Sequence, residues 1–103
     1  MLRHLLIFFG LLTLSACNWV AVTEAGETVR IATTAEIGEC ERLGRTNTQV
    51  RDRVGFVDRS VENVQEELTG LARNEAAEMG ANTIVAESVI SGGRQTFGVY
   101  RCP

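Results

Sequence analysis

The sequence has no lysine, and its single histidine is the fourth residue. Histidine and lysine supply many of the bases that activate catalytic nucleophiles. Ser60, Ser88 and Ser91 would all depend on His4, which belongs to an apolar leader described below. The sequence therefore predicts no catalytic residue of the usual kind and favours a protein that is not an enzyme.

Carboxylates are the remaining candidates for acid–base chemistry. Glu36, Glu39 and Glu41 lie close together in the chain, and a pair of carboxyl groups suffices for some hydrolases. Their spacing around Gly38 is more typical of a solvated loop. A carboxylate-based enzyme is therefore kept only as an alternative.

Metal ligands and positive charge are also scarce. The three cysteines show no close Cys-x-x-Cys spacing of the kind zinc sites use, and no Asp-rich loop has calcium-binding spacing. Acidic residues outnumber basic ones by thirteen to ten, for a formal net charge of −3. That balance is the opposite of a nucleic-acid-binding domain. We expect no metal, no cofactor and no nucleic-acid partner.

The first sixteen residues, MLRHLLIFFGLLTLSA, have the pattern of a secretory signal. Arg3 and His4 precede an apolar run that is too short to span a membrane as a mature helix. The sequence Leu14-Ser15-Ala16-Cys17 resembles the bacterial lipobox. This resemblance implies that the Cys17 thiol carries diacylglycerol, that the leader is cut before it, and that the freed amine is acylated. The alternative is a buried or disulfide-bonded Cys17 after a plain signal peptide.

Lipid on Cys17 predicts the compartment. Several acyl chains, at roughly 0.8 kcal/mol per buried methylene, make a stable anchor. Asn18 follows the cysteine, whereas an aspartate there tends to retain the resembled lipoproteins in the inner membrane. We therefore expect a lipoprotein of the outer membrane that faces the periplasm. The absence of lysine excludes attachment to peptidoglycan through a terminal lysine.

The mature chain is long enough for one small domain. We expect residues 17–26 to form the lipidated N-terminus and a tether, and residues 27–103 to form a single α+β domain. The clearest element is a helix from Ser60 to Met79, which has apolar residues at helical spacing and Gly80 to end it. Within it, Gly70 suggests close approach to a strand.

Strand patterns surround this helix. Alternation predicts strands at Val29 and Ile31 and again at positions 46, 48 and 50. We expect a hairpin in which the strands NTIVAESVI and RQTFGVYRC are joined by the turn SGG. The stretch RDRVGFVDRS is predicted to be a loop with a buried cluster of Val54, Phe56 and Val57. The expected fold is α+β, with one long amphipathic helix packed on an antiparallel sheet of about four strands.

Cys40 and Cys102 remain as an even pair once Cys17 carries lipid. In an oxidising compartment we expect them to form a disulfide, which would close a loop of about sixty residues and contribute roughly 4 kcal/mol. Two free thiols, or thiolates that bind a soft metal, are the alternatives that the sequence leaves open.

Arginines supply the candidate partner-binding residues. Planar guanidinium groups suit the phosphates of lipopolysaccharide or the carboxylates of an envelope protein. Pairing with glutamates on a solvated surface is the alternative interpretation. The five candidates are Arg42, Arg45, Arg51, Arg53 and Arg59.

Three blocks carry a family resemblance: GECERLG at 38–44, LARNEAAEMGANTIV at 71–85 and GGRQTFGVYRCP at 92–103. They resemble a family of bacterial lipoproteins designated domain of unknown function 4156. More distantly, the chain is similar to the Rcs envelope-stress sensor lipoprotein and its small α+β relatives. That sensor has four domain cysteines in two disulfides, whereas only Cys40 and Cys102 are present here.

The resemblance implies a fold and a compartment but no activity. We expect a lipid-anchored, periplasm-facing binding or envelope-sensing module. A structural envelope lipoprotein without a ligand is the alternative.

Overall fold

The structure is a computed structural model that describes residues 20–103. The predicted signal peptide and Cys17 lie outside the described residues. Within the described part, no helix has both the length and the hydropathy to cross a membrane. The elements, in chain order, are α1 (Glu24–Glu27), β1 (Arg30–Ile31), a 3₁₀ turn (Thr34–Glu36), β2 (Glu41–Gln49), β3 (Arg53–Val54), β4 (Val57–Asp58), α2 (Val61–Glu78), β5 (Thr83–Ala86) and β6 (Arg94–Arg101).

The predicted long helix is confirmed as α2. Ser60 is its N-cap, and the Ser60 hydroxyl accepts a hydrogen bond from the Asn63 N–H at 3.2 Å. Gly80 follows the helix at φ +79°, a left-handed conformation that glycine adopts without a Cβ penalty. The central apolar residues of the predicted face, such as Leu68, are buried, whereas Val61 and Met79 at its two ends are exposed.

The sheet has four strands in the order β1-β5-β6-β2. β6 pairs antiparallel with both β2 and β5, but β1 pairs parallel with β5. The prediction of an antiparallel sheet was therefore wrong at this edge, and the sheet is mixed. The physical reason is that both strands start near the C-terminal half of α2. Arg73 of α2 donates a hydrogen bond to the carbonyl of Val29, just before β1, and β5 follows α2 directly. Because β1 and β5 start at the same end of the sheet, they run in the same direction.

The helix covers one face of the sheet and forms the main core. Leu68 and Ala72 of α2 pack with Ile84, Phe97 and Val99 of the sheet, all of them buried. On the other face, a smaller cluster of Ala32, Val85 and Tyr100 is covered by Ile37 and the two cysteines. The two-sided burial explains why β5 and the stretch from Phe97 to Tyr100 of β6 are largely apolar.

The disulfide between Cys40 and Cys102 is confirmed, with a Cα–Cα distance of 4.2 Å. The two cysteines flank Glu41 and Arg101, which face each other at the end of the β2–β6 ladder. Antiparallel pairing therefore brings together cysteines that are 62 residues apart in the chain. The alternatives of free thiols and a thiolate metal site do not apply to this pair.

The predicted buried cluster at Val54, Phe56 and Val57 was wrong. These residues belong to a separate two-stranded hairpin formed by β3 and β4, with Gly55 at φ +62° in its turn. Phe56 is fully exposed, and Val54 and Val57 are also exposed. A short hairpin satisfies its own backbone hydrogen bonds without packing its side chains on the core.

Residues expected to act as a tether pack on α2 instead. Asn74 accepts a hydrogen bond from the Thr23 N–H at 2.9 Å and donates to the Ala21 carbonyl at 3.0 Å. A Cβ on Gly70 would lie 3.2 Å from Val22, so its close neighbour is this segment rather than a strand. The predicted boundary at residues 26 and 27 falls inside α1, and the packed part of the chain includes residues 20–26.

Candidate functional site

The face of the sheet away from α2 is only partly covered. The segment from Ala32 to Cys40 packs over Val85 and Tyr100 at one end. The remainder, which we call the open face, consists of Arg42, Arg45, Asn47, Gln49, Glu87, Arg94 and Thr96.

A β-bulge places two of the predicted arginines on this face together. Arg42 faces Tyr100 and Arg45 faces Gly98, while the register shifts between Arg42 and Gly44. Strict alternation would point residues 42 and 45 to opposite faces. Because the bulge adds one residue to β2, the alternation shifts by one position after it. Leu43 packs against the core, and Arg45 lies on the open face with Arg42.

Arg42 is held by two partners. Its guanidinium donates to the Tyr100 hydroxyl at 2.8 Å and forms a two-point ion pair with the Glu87 carboxylate, in which the Nη2–Oε1 distance is 3.1 Å. The same guanidinium lies 5.5 Å from the centre of the Tyr100 ring. Gly98 lies beneath this group, and a Cβ there would collide with Glu87 and approach Arg42 Nη1 to 2.9 Å. Glycine thus lets the ion pair lie close to the sheet.

The cluster stays charged across the neutral range. Hydrogen bonding from Arg42, supplemented by the charges of Arg42 and Arg45, lowers the pKa of Glu87. Hydrogen bonds to Glu87 and Tyr100 raise the pKa of Arg42. The hydrogen bonds to Glu87 and Tyr100 fix the position of the Arg42 guanidinium, and 43% of the side chain is accessible to solvent.

The open face is positively charged although the chain is acidic. It carries Arg42, Arg45 and Arg94 against Glu87, in a chain with a net charge of −3. Arg45 and Arg94 are exposed, and between them Thr96 donates to the Asn47 side chain at 2.7 Å. Guanidinium and amide groups donate hydrogen bonds of the kind that carboxylate and phosphate ligands accept.

The five predicted arginines do not form one patch. Arg53 pairs with Asp58 at 2.8 Å across the β3–β4 hairpin. Arg59 forms a largely buried ion pair with Glu67 at 2.5 Å and donates to the Arg51 carbonyl at 2.8 Å. Arg51, Arg53 and Arg59 therefore belong to the hairpin region, separate from Arg42 and Arg45.

Sequence reasoning missed Glu87 and Tyr100, which bind Arg42, and Arg94 of the open face. Glu87, Arg94 and Tyr100 come from the last third of the chain and reach the arginines only through strand pairing. The signal available in the sequence was indirect: Gly98 interrupts a strand pattern, and such a glycine often marks close approach of another group.

Glu36, one of the three candidate carboxylates, has a structural role. The Glu36 carboxylate accepts hydrogen bonds from the N–H and the hydroxyl of Thr33, both at 2.9 Å, in a capping box. The hydrogen bond from the backbone N–H, then that from the hydroxyl, lowers the pKa of Glu36. Among the described residues, no group of three His, Cys, Asp or Glu side chains gathers in a metal-binding arrangement.

The fold and this surface define a class: a small disulfide-bonded α+β domain with a basic open sheet face. The family described as Domain of unknown function (DUF4156) matches residues 20–102, and the chain belongs to this family. The resemblance seen in the three sequence blocks is thereby confirmed. No curated protein and no solved structure matches the chain. The more distant similarity to the Rcs sensor lipoprotein stays a prediction.

Proposed function

We propose that this protein is an outer-membrane lipoprotein, anchored by lipid on Cys17, that faces the periplasm and binds an acidic segment of an envelope protein on its open face. It acts as a binding module rather than an enzyme. The lipobox-like sequence supports the anchor. The observation that carries the binding role is the grouping of Arg42, Arg45 and Arg94 on an uncovered sheet face of an acidic protein.

The position of β2 supports a protein partner. β2 is nine residues long and, in the described part of the chain, pairs only with β6, so it forms an edge of the sheet. An extended segment can add to such an edge through backbone hydrogen bonds. Carboxylates of that segment would then meet Arg45, which projects from β2 and is exposed, whereas Arg42 reaches over β6 to Glu87.

A photo-crosslinking residue tests this surface in intact envelopes. We place it at Asn47 on the open face or, as a control, at the exposed Glu62 of α2. We expect a specific adduct from position 47 and not from position 62. Lysine-directed reagents are unsuitable because the chain has no lysine.

A charge reversal then tests the role of the arginines. Arg45→Glu should abolish the adduct from position 47, whereas Arg51→Glu, an equal charge change at an exposed site outside the sheet, should leave it intact. An adduct that survives Arg45→Glu contradicts the proposal. The lack of any adduct favours a structural lipoprotein without a ligand.

The anchor has a separate test. Cys17→Ser should abolish labelling by radioactive palmitate and release the protein from the membrane fraction. Recovery of a signal-cleaved Cys17→Ser protein in the outer membrane would contradict lipid anchoring.

A further inference from the structure

Five of the exposed large hydrophobic side chains lie at one end of the domain, and Ile31 and Met79 lie elsewhere. Val54, Phe56 and Val57 lie on the β3–β4 hairpin, Val61 begins α2, and Val89 lies between β5 and β6. Phe56 is fully exposed, and Val89 and Val61 are 82% and 74% exposed. We call these five residues the apolar end.

A shared cavity shows that these elements are neighbours. It has a volume of about 330 Å³, and its walls come from the base of the hairpin, the start of α2 and the β5–β6 loop. Its lining includes Asp58, Val61, Ile90 and Gly93. Val61 and the residue after Val89 thus border the same cavity as the hairpin base.

The N-terminal segment runs toward the same end. Asn74 holds Thr23, whereas Val20 lies earlier along α2, beside Gly70. Val20 also lines a second cavity, of about 210 Å³, with Arg59 and Asn63. Traced backward from Thr23, the chain therefore approaches the start of α2 and the base of the hairpin.

Cys17 is three residues before Val20. Three residues of extended chain span at most about 11 Å. Lipid on Cys17 would consequently hold the membrane surface close to the first turns of α2.

We propose that the apolar end is a membrane-contacting surface, in which Phe56 and its hydrophobic neighbours enter the interface of the bilayer that holds the Cys17 lipid. This inference rests on the lipid anchor of the proposed function. The lipid anchor keeps the apolar end at a high effective concentration next to the bilayer. An apolar area that is too small to bind a membrane by itself can therefore contact the bilayer. Burial of these side chains removes apolar surface from water.

The polar groups around the hairpin are compatible with a bilayer interface. Arg53 and Asp58 neutralise each other in an ion pair. The exposed Arg51 can keep its guanidinium among lipid phosphates while its methylenes lie along the apolar surface.

Membrane contact at this end orients the whole domain. The 18 residues of α2 extend about 27 Å at 1.5 Å per residue. Because Val61 of the apolar end is the first residue of α2, the proposed contact places the C-terminal end of α2 farther from the membrane, toward the periplasm.

Tryptophan quenching tests this orientation in the full lipidated protein. Trp19→Phe removes the single native tryptophan, and Phe56→Trp then reports on the apolar end. Met79→Trp is the control, because Met79 is 42% exposed and is the C-cap of α2. Each protein is reconstituted into phosphatidylethanolamine–phosphatidylglycerol vesicles with brominated acyl chains, and flotation is measured on the same samples.

We expect both proteins to float with the vesicles. The fluorescence of the Phe56→Trp protein should be blue-shifted and strongly quenched, and that of the Met79→Trp protein should be unquenched. A floating Phe56→Trp protein without quenching would overturn the membrane contact while leaving the anchor intact. Equal quenching in the two proteins would overturn the orientation. Failure to float would instead refute the anchor, and this inference with it.

Discussion

Removal of the Cys40–Cys102 disulfide should strongly destabilise the domain. The bond closes a loop with a sequence separation of 62, and the loss of chain entropy in the unfolded state corresponds to about 4 kcal/mol for a loop of this length. The β2–β6 ladder already brings the two positions together through the pairing of Glu41 with Arg101. Cys40→Ala/Cys102→Ala should therefore keep the native fold and lose mainly the restriction on the unfolded chain. The whole free energy of unfolding of such a domain is on the order of 5–15 kcal/mol.

Denaturant titration of the wild type and the double variant, each with and without reductant, measures this contribution. Reduction should lower the free energy of unfolding of the wild type by about 4 kcal/mol. The double variant should start near the reduced wild-type value and should not respond to reductant. Unchanged wild-type stability on reduction, or two thiols that titrate in the untreated protein, would refute the reasoning.

Three further changes test the core and the open face. Leu68→Ala removes a fully buried side chain and should cost about 2–5 kcal/mol in urea unfolding, whereas Val61→Ala at an exposed position of the same helix should cost under about 0.5 kcal/mol. Because folding lowers the pKa of Glu87, its contribution to stability is complete above the unfolded-state pKa and is lost as pH falls through the folded pKa. Glu87→Gln should thus flatten the acid dependence of stability below about pH 5; an unchanged profile would contradict this. Gly98→Ala should displace the ion pair over the sheet and cost about 1–3 kcal/mol, whereas Gly38→Ala, with nothing within 4 Å of the added Cβ, should be close to neutral.

Local patterns predicted the elements that depend on neighbours in the chain. The helical spacing from Val64 to Ala76, the Ser60 cap and the glycine stop at Gly80 are all short-range features. Each acts within one or two turns, so a sequence window contains all the information needed. The same holds for the turn at Gly92 and Gly93, where both glycines have positive φ.

The hairpin around Phe56 shows where local patterns fail. Val54, Phe56 and Val57 have the composition of a buried cluster, but burial requires an element to pack on them. The chain forms a two-stranded ribbon instead and leaves these side chains exposed. Hydrophobicity indicates that a residue would gain from burial, and only the three-dimensional arrangement decides whether a neighbour is present to bury it.

The sequence by itself determined the long helix, the α+β class, the family and the pair of cysteines available for a disulfide. Only the tertiary structure decided the direction of β1, the packing of residues 20–26 on α2, and the meeting of Arg42 with Glu87 and Tyr100. These features join residues that are 45 or more positions apart. Strand register, one β-bulge and the missing side chain of Gly98 set the contacts of Arg42, and hydrogen bonds to Asn74 hold the segment before α1; none of these effects is local in the chain.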